Sequence, residues 1–89
     1  MAVIIGMDPA EVRALAQQLL QASTDIAGMV TGLSQRVQDA PWAGQDRENF
    51  VNAWQQHHVA ALNGVAQALG EAGNIANQNA QQQEDASNA

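Results

Sequence analysis

The sequence lacks cysteine, lysine and tyrosine, and each absence narrows what the protein can be. Without cysteine, the chain forms neither disulfides nor thiolate metal sites. Without lysine, three arginines stand against nine acidic residues, which gives a formal net charge of −6. Such a balance repels nucleic-acid phosphates and anionic lipid surfaces. We therefore expect no nucleic-acid partner.

Long apolar runs are also missing from the sequence. No segment approaches the roughly 18 consecutive apolar residues of a membrane span, so we expect none. The first residues, Met-Ala-Val-Ile-Ile-Gly-Met, are apolar, but they include no basic region and are too short for the core of a signal peptide. If the protein is exported, we expect a route that reads no cleaved signal peptide. A cytoplasmic protein fits these facts equally well.

What remains is a composition typical of helices, because alanine, glutamine and asparagine dominate and β-branched residues are few. The stretch Pro41-Trp42-Ala43-Gly44 separates two segments with helical periodicity. After Asn77 the chain is too polar to bury much apolar surface. We predict one all-α domain made of an N-terminal arm over 1–7, an antiparallel two-helix hairpin over 8–79 (helix one 9–38, turn 39–44, helix two 45–78) and a disordered polar tail over 80–89.

Helix one has clear predicted boundaries. Asp8 can cap the free N–H groups of the first turn, and Pro9 suits the first helical position, where its missing N–H costs nothing. Glu11 stands where it completes a capping box with Asp8. At the other end, Pro41 disfavours the helical conformation for the residue before it. The helix should therefore begin at Pro9 and fade by Asp39.

Apolar residues recur at steps of three and four along both segments, which is the heptad spacing of a helical seam. Ser23 is the one polar residue in the series on helix one. The predicted hairpin or dimer interface consists of Val12, Leu15, Ala16, Leu19, Ile26, Met29, Val30, Leu33 and Val37 on helix one, with Phe50, Trp54, His58, Val65 and Leu69 on helix two.

This apolar face is wider than one hairpin can cover. Two antiparallel helices bury only one stripe on each other. The remaining apolar side chains would lie in water, and exposed patches of that length predict association. We therefore expect two hairpins to pair into a dimeric four-helix bundle.

Nothing in the sequence indicates catalysis. The acidic residues are scattered, and those near helix starts are explained by capping. His57 and His58 resemble a metal pair, but neighbouring helical residues point about 100° apart and no third ligand lies at useful spacing. There is no nucleophile arrangement and no phosphate-binding glycine loop. We expect no enzymatic activity, no metal and no cofactor.

Trp42 has two interpretations. As a structural residue, its ring folds over the end of the bundle and closes the core. As a functional residue, it is presented at the turn for recognition. Gly44 fits both, because the residue beside the ring needs a free backbone or a positive φ.

Trp42-Ala43-Gly44, midway between two amphipathic helices and with Phe50 following, resembles the motif of the WXG family of hundred-residue proteins. These are early-secretory-antigen-like substrates of the type VII (ESX) secretion system of actinobacteria and firmicutes. The resemblance implies a hairpin that pairs into a homodimeric or heterodimeric four-helix bundle and is exported folded. It also implies that Trp42 and Gly44 form half of a bipartite secretion signal, and that the secretion ATPase is a partner. The protein would be cytoplasmic before export and secreted or at the cell surface afterwards.

The chain departs from the family in the second half of that signal, a tyrosine followed four residues later by an acid. Ala76 and Ala80 stand at these positions. The resemblance therefore favours a heterodimer, in which a second WXG-type protein carries the tyrosine motif. The alternative is a cytoplasmic helical interaction module that is not exported. A membrane-active effector is disfavoured by the acidic charge.

Overall fold

The structure is a computed structural model that describes residues 7–88, and over this range it contains helices and no strand. Helix α1 spans Pro9–Asp39, α2 spans Gln45–Ala53, a π-helical turn spans Trp54–His58 and α3 spans Val59–Asn88. The last three follow one another without a gap and form one helical arm. At about 1.5 Å per residue this arm is roughly 66 Å long, which accounts for the 69 Å length of the molecule. The predicted all-α fold is confirmed.

The two arms run antiparallel and form a hairpin. Near the open end, the side chain of Arg13 on α1 contacts that of Glu84 on α3. Near the turn, Ser34 on α1 contacts Trp54 in the π turn. Residue numbers therefore rise along one arm as they fall along the other.

Asp8 caps α1 as predicted. Its Oδ1 accepts hydrogen bonds from the backbone N–H groups of Ala10 at 3.0 Å and Glu11 at 3.5 Å. Pro9 occupies the first turn, where no intrahelical partner for an N–H exists. The capping residues thus determine where the first arm begins.

The chain reverses between Asp39, the last residue of α1, and Gln45, the first of α2. The backbone N–H of Trp42 donates to the carbonyl of Ala40 at 2.8 Å. Gly44 precedes α2 with φ +108°, in the left-handed region that favours glycine. A side chain at position 44 would strain the turn, so the backbone itself requires this glycine.

The core between the arms is a seam of small residues. Its buried members are Ala16 and Val30 on α1, Val51 on α2, and Ala66, Gly73 and Ala80 on α3. The three on α3 recur every seven residues, as in a heptad repeat. A Cβ atom added to Gly73 would lie only 2.8 Å from Cγ of Leu20. The small side chains therefore let the two backbones approach closely.

The structure corrects the predicted disordered tail over 80–89. Helix α3 continues to Asn88, Ala80 is fully buried, and Glu84 is held by Arg13. Composition alone predicted disorder because it counts average apolar content and misses these two anchors. Ala89 and residues 1–6 of the predicted N-terminal arm lie outside the described residues.

The π turn was not predicted, and it changes the register of the second arm. The N–H of Val59 donates to the carbonyl of Trp54, five residues back instead of four. A π turn therefore holds one more residue than an α turn and rotates the following helix. The predicted register passed through His58 and Val65, whereas the structure exposes both and buries Ala66. The contact face of α3 toward α1 is thus shifted by one residue.

Candidate interaction surface

Part of the predicted interface lies in or beside the contact between the two arms. The residues that are buried or half-buried are Val12, Ala16, Leu19, Ile26, Val30 and Val37 on α1, together with Trp54 and Leu69 on the second arm. These side chains lie within the stripe that the other arm covers or along the border of that stripe.

The rest of the predicted interface is exposed. These residues are Leu15, Met29, Leu33, Phe50, His58 and Val65, and Ile75 is exposed as well. Met29 leaves 62% of its surface in water and Ile75 leaves 55%. Half-buried Leu19, Ala22 and Ile26 lie between Leu15 and Met29 at steps of three and four, so the apolar area on α1 forms a stripe rather than isolated residues.

The exposed apolar residues of both arms lie on one side of the hairpin. On α1, exposed Met29 comes one position before buried Val30, and on α3, exposed Val65 comes one position before buried Ala66. A step of one position back along a helix rotates the side-chain direction by about 100° around the helix axis. Because the two helices run antiparallel, this rotation carries Met29 and Val65 to the same side of the hairpin. We call this surface the outer face. It comprises Leu15, Leu19, Ala22, Ile26, Met29 and Leu33 of α1 with Val65, Ala68, Ala72 and Ile75 of α3.

The opposite side of the hairpin is polar. Its exposed residues include Gln17, Thr24, Thr31 and Gln38 of α1 with Gln67, Asn74 and Gln81 of α3. A shallow open groove of about 540 Å³ on this side is lined in part by Thr31, Gln35 and Asn63, and its lining contains no titratable side chain. Both sides of the hairpin are built from the same two helices. The difference in polarity is therefore between the two sides of the hairpin and not between the two helices.

Trp42 and Phe50 form an exposed aromatic pair at the turn. Their ring centroids are 5.4 Å apart with planes tilted by 53°, a favourable aromatic geometry. Trp42 leaves 44% of its surface exposed and Phe50 leaves 45%. Within the single hairpin, Trp42 therefore rests on Phe50 and does not plug the core.

The π turn holds the second tryptophan in place. Nε1–H of Trp54 donates to Oγ of Ser34 at 2.9 Å across the arms.

The ring of His58 lies 6.2 Å from that of Trp54, and both His57 and His58 face solvent. Between residues 7 and 88, no three His, Cys, Asp or Glu side chains converge as metal ligands would.

A polar clasp joins the two arms at the open end. Arg13 donates from Nε to Oε1 of Glu84 at 2.9 Å, from Nη2 to Oε2 of Glu84 at 3.1 Å, and from Nη2 to Oε1 of Gln81 at 2.9 Å. This hydrogen bonding lowers the pKa of Glu84 below its ordinary value, and burial opposes the change. The same hydrogen bonding raises the pKa of Arg13. The clasp thus favours the charged form of both groups.

None of the helices within residues 7–88 combines the length and the apolar character that a membrane span requires. Comparison with protein-family models, curated proteins and solved structures finds no match for this chain. Its function is therefore to be inferred from its own fold and surfaces.

Proposed function

We propose that this protein is a small helical binding protein, without enzymatic activity, whose outer face packs against a second helical hairpin to complete a dimeric four-helix bundle. The observation that carries the proposal is the concentration of exposed apolar side chains on one side of the hairpin. Burial of apolar surface contributes about 25 cal/mol per Å², so a second hairpin laid on this side would be stabilised along most of its length. Two hairpins stacked in this way form the usual geometry of a four-helix bundle.

We further propose that the bundle is a substrate or export adaptor of a type VII (ESX) secretion system. The resemblance of Trp42-Ala43-Gly44 to the family motif supports this role, and so does the exposure of the Trp42 ring at the turn. In this proposal the turn is half of a bipartite signal that the secretion ATPase reads. A partner hairpin would carry the tyrosine half, and the complex would pass from the cytoplasm to the cell surface or medium.

The missing tyrosine gives a second candidate function, a helical interaction module that stays in the cytoplasm. It uses the same outer face and differs only in its location. Fractionation of the producing organism into cell and medium separates the two candidates: the chain accumulates in the medium under the first and stays with the cells under the second.

Site-specific photocrosslinking in the producing organism tests the outer face itself. A benzophenone amino acid replaces Met29 on the outer face, and in the matched control it replaces Thr31 on the polar side. We expect position 29 to crosslink to a second small helical hairpin, which mass spectrometry identifies, and position 31 to give background only. Equal crosslinking from both positions, or none from position 29, would contradict the proposed bundle.

A further inference from the structure

A line of carboxylates borders the outer face along α1. Glu11, Asp25 and Asp39 are spaced by 14 residues, or two heptads, so they share one position on the helix. Asp25 lies one turn before Met29, at the far rim of the outer face from α3. All three are exposed. We call these three residues the acidic edge.

Over residues 7–88, no basic side chain forms an ion pair with a residue of the acidic edge. Asp25 accepts a hydrogen bond from the neutral side chain of Gln21 at 2.8 Å, and Asp39 accepts one from Gln35 at 2.9 Å. The ion pairs found between residues 7 and 88 join Arg13 to Glu84 and Arg47 to Glu48, so neither involves the acidic edge.

Arg36 is the one basic residue beside the acidic edge. It follows Met29 by seven residues and therefore extends the outer face toward the turn. The negative charge of Asp39, one turn further on, offsets the positive charge of Arg36 locally. Along the rest of α1 the edge stays negative.

A second copy of this chain fits the outer face poorly, because both two-fold arrangements bring like charges together. If α1 lies over α1 of the other copy, Asp25 faces Asp25 and Glu11 lies near Asp39. If α1 lies over α3 instead, the acidic edge faces Ala68 and Ile75 at the rim of α3, and exposed Glu71 lies one turn from both, beside Gln67. Each arrangement also joins two chains of formal charge −6.

We propose that the outer face takes a different helical hairpin, one that carries lysine or arginine along the edge opposite Glu11, Asp25 and Asp39. Burial of the apolar side chains of the outer face stabilises the complex, and the charge of the acidic edge determines which partner is preferred. Complementary charge at the rim of an interface favours the right partner and penalises the wrong one. This inference rests on the proposed four-helix bundle and adds the chemistry of the partner.

A charge-reversed copy of the protein is the probe. The triple variant Glu11→Lys, Asp25→Lys and Asp39→Lys keeps the outer face and presents a basic edge. Native mass spectrometry and light scattering compare the wild-type chain alone, the basic copy alone and an equimolar mixture. Circular dichroism checks that each chain is helical, and the double variant Asp25→Lys and Asp39→Lys replaces the triple one if the latter fails to fold.

We expect the mixed dimer to be at least about tenfold tighter than the wild-type homodimer, because several rim pairs change from repulsive to attractive. Raising the ionic strength from about 0.01 M to about 1 M shortens the Debye length from about 30 Å to about 3 Å, and this preference should shrink accordingly. Met29→Asp in the wild-type chain should abolish the mixed dimer, whereas Thr31→Asp should not.

The failures of the two proposals are distinguishable. A wild-type homodimer as tight as the mixed dimer would overturn the basic-edged partner and leave the four-helix bundle standing. A mixed dimer that survives Met29→Asp would overturn the inference, because the basic copy would then bind elsewhere. No dimer in any mixture of helical chains would overturn both.

Discussion

Gly73 lies where the two arms are in tight contact. Its replacement by alanine therefore distinguishes the effect of packing on stability from the effect of helix propensity. Alanine is favoured over glycine in a helix by about 1 kcal/mol. At position 73, however, the new Cβ would lie 2.8 Å from Leu20 Cγ and 3.2 Å from the backbone carbonyl of Ala16. The backbone atom cannot move away as a side chain can. We expect Gly73→Ala to lower the free energy of unfolding by about 1–3 kcal/mol, as overpacking usually does.

Gly64 supplies the matched control on the same helix, since a Cβ there would meet nothing within 4 Å. Gly64→Ala should raise the free energy of unfolding by up to about 1 kcal/mol through helix propensity alone. Urea titration followed by circular dichroism measures both variants. If both alanines stabilise the hairpin, the close approach of α1 and α3 at Gly73 is wrong.

Single residues with strong local rules were predicted well from the sequence. The cap at Asp8 and the glycine at position 44 follow from backbone chemistry that involves only a few neighbours. The sequence showed Ser23 only as the one polar residue in the apolar series of helix one, whereas in the structure its Oγ donates to the carbonyl of Ala66 at 2.6 Å. That bond depends on which residue lies opposite, which a single sequence does not specify.

At the scale of the helical element, the end of α3 depends on the clasp between Arg13 and Glu84. Glu84→Gln removes the charge that strengthens these hydrogen bonds. We expect faster amide hydrogen exchange over 80–88, measured by NMR, with little change in the centre of α3. Asp85→Asn removes the same charge from a neighbouring side chain that is not ion-paired with Arg13, and it keeps an oxygen acceptor for Gln81, so it should change this exchange much less. Equal effects would show that general charge, not the clasp, holds the end of the helix.

The clasp also predicts a pH dependence for the same segment. The pKa of Glu84 lies below its ordinary value in the folded chain. A group whose folded pKa is lowered stabilises the fold above its unfolded pKa, and this contribution is lost as the pH falls through the folded pKa. Exchange over 80–88 should therefore be slow at neutral pH and, after correction for intrinsic rates, rise relative to the rest of α3 at pH values below the ordinary glutamate range. In Glu84→Gln this extra dependence should disappear.

The helices themselves were predictable because apolar periodicity repeats over many residues, whereas the π turn was not. A single extra residue in Trp54–His58 leaves the local pattern of apolar residues almost unchanged. Its effect appears only further along, where Ala66, Gly73 and Ala80 replace the predicted Val65 register in the contact with α1. Large side chains dominated the predicted register, while the structure uses small ones, since these permit the closer approach.

At the scale of the whole molecule, the width of the apolar face predicted association, but the side on which it lies required the structure. The register of α3 decides whether Val65 and Ile75 point toward α1 or outward beside Met29. With the π turn in place, the exposed apolar residues of α1 and those of α3 lie on the same side of the hairpin, and the opposite side is polar. Under the proposed bundle, the outer face is the surface that a second hairpin would cover.

Trp42 is the feature of the molecule that the fold itself does not require. Its ring is partly exposed and rests on Phe50, so Trp42→Ala should leave the helical content unchanged and lower the free energy of unfolding by about 0.5–1.5 kcal/mol through loss of the aromatic pair. Under the proposed secretion role, the same change should sharply reduce the amount of protein in the medium relative to the cell. Trp42→Phe keeps an aromatic ring on Phe50 and serves as the control for lost packing. Circular dichroism, urea titration and immunoblots of cell and medium fractions measure these outcomes. If the variant loses both folding and export, the role of Trp42 is structural. If export is unchanged, Trp42 is not part of the secretion signal.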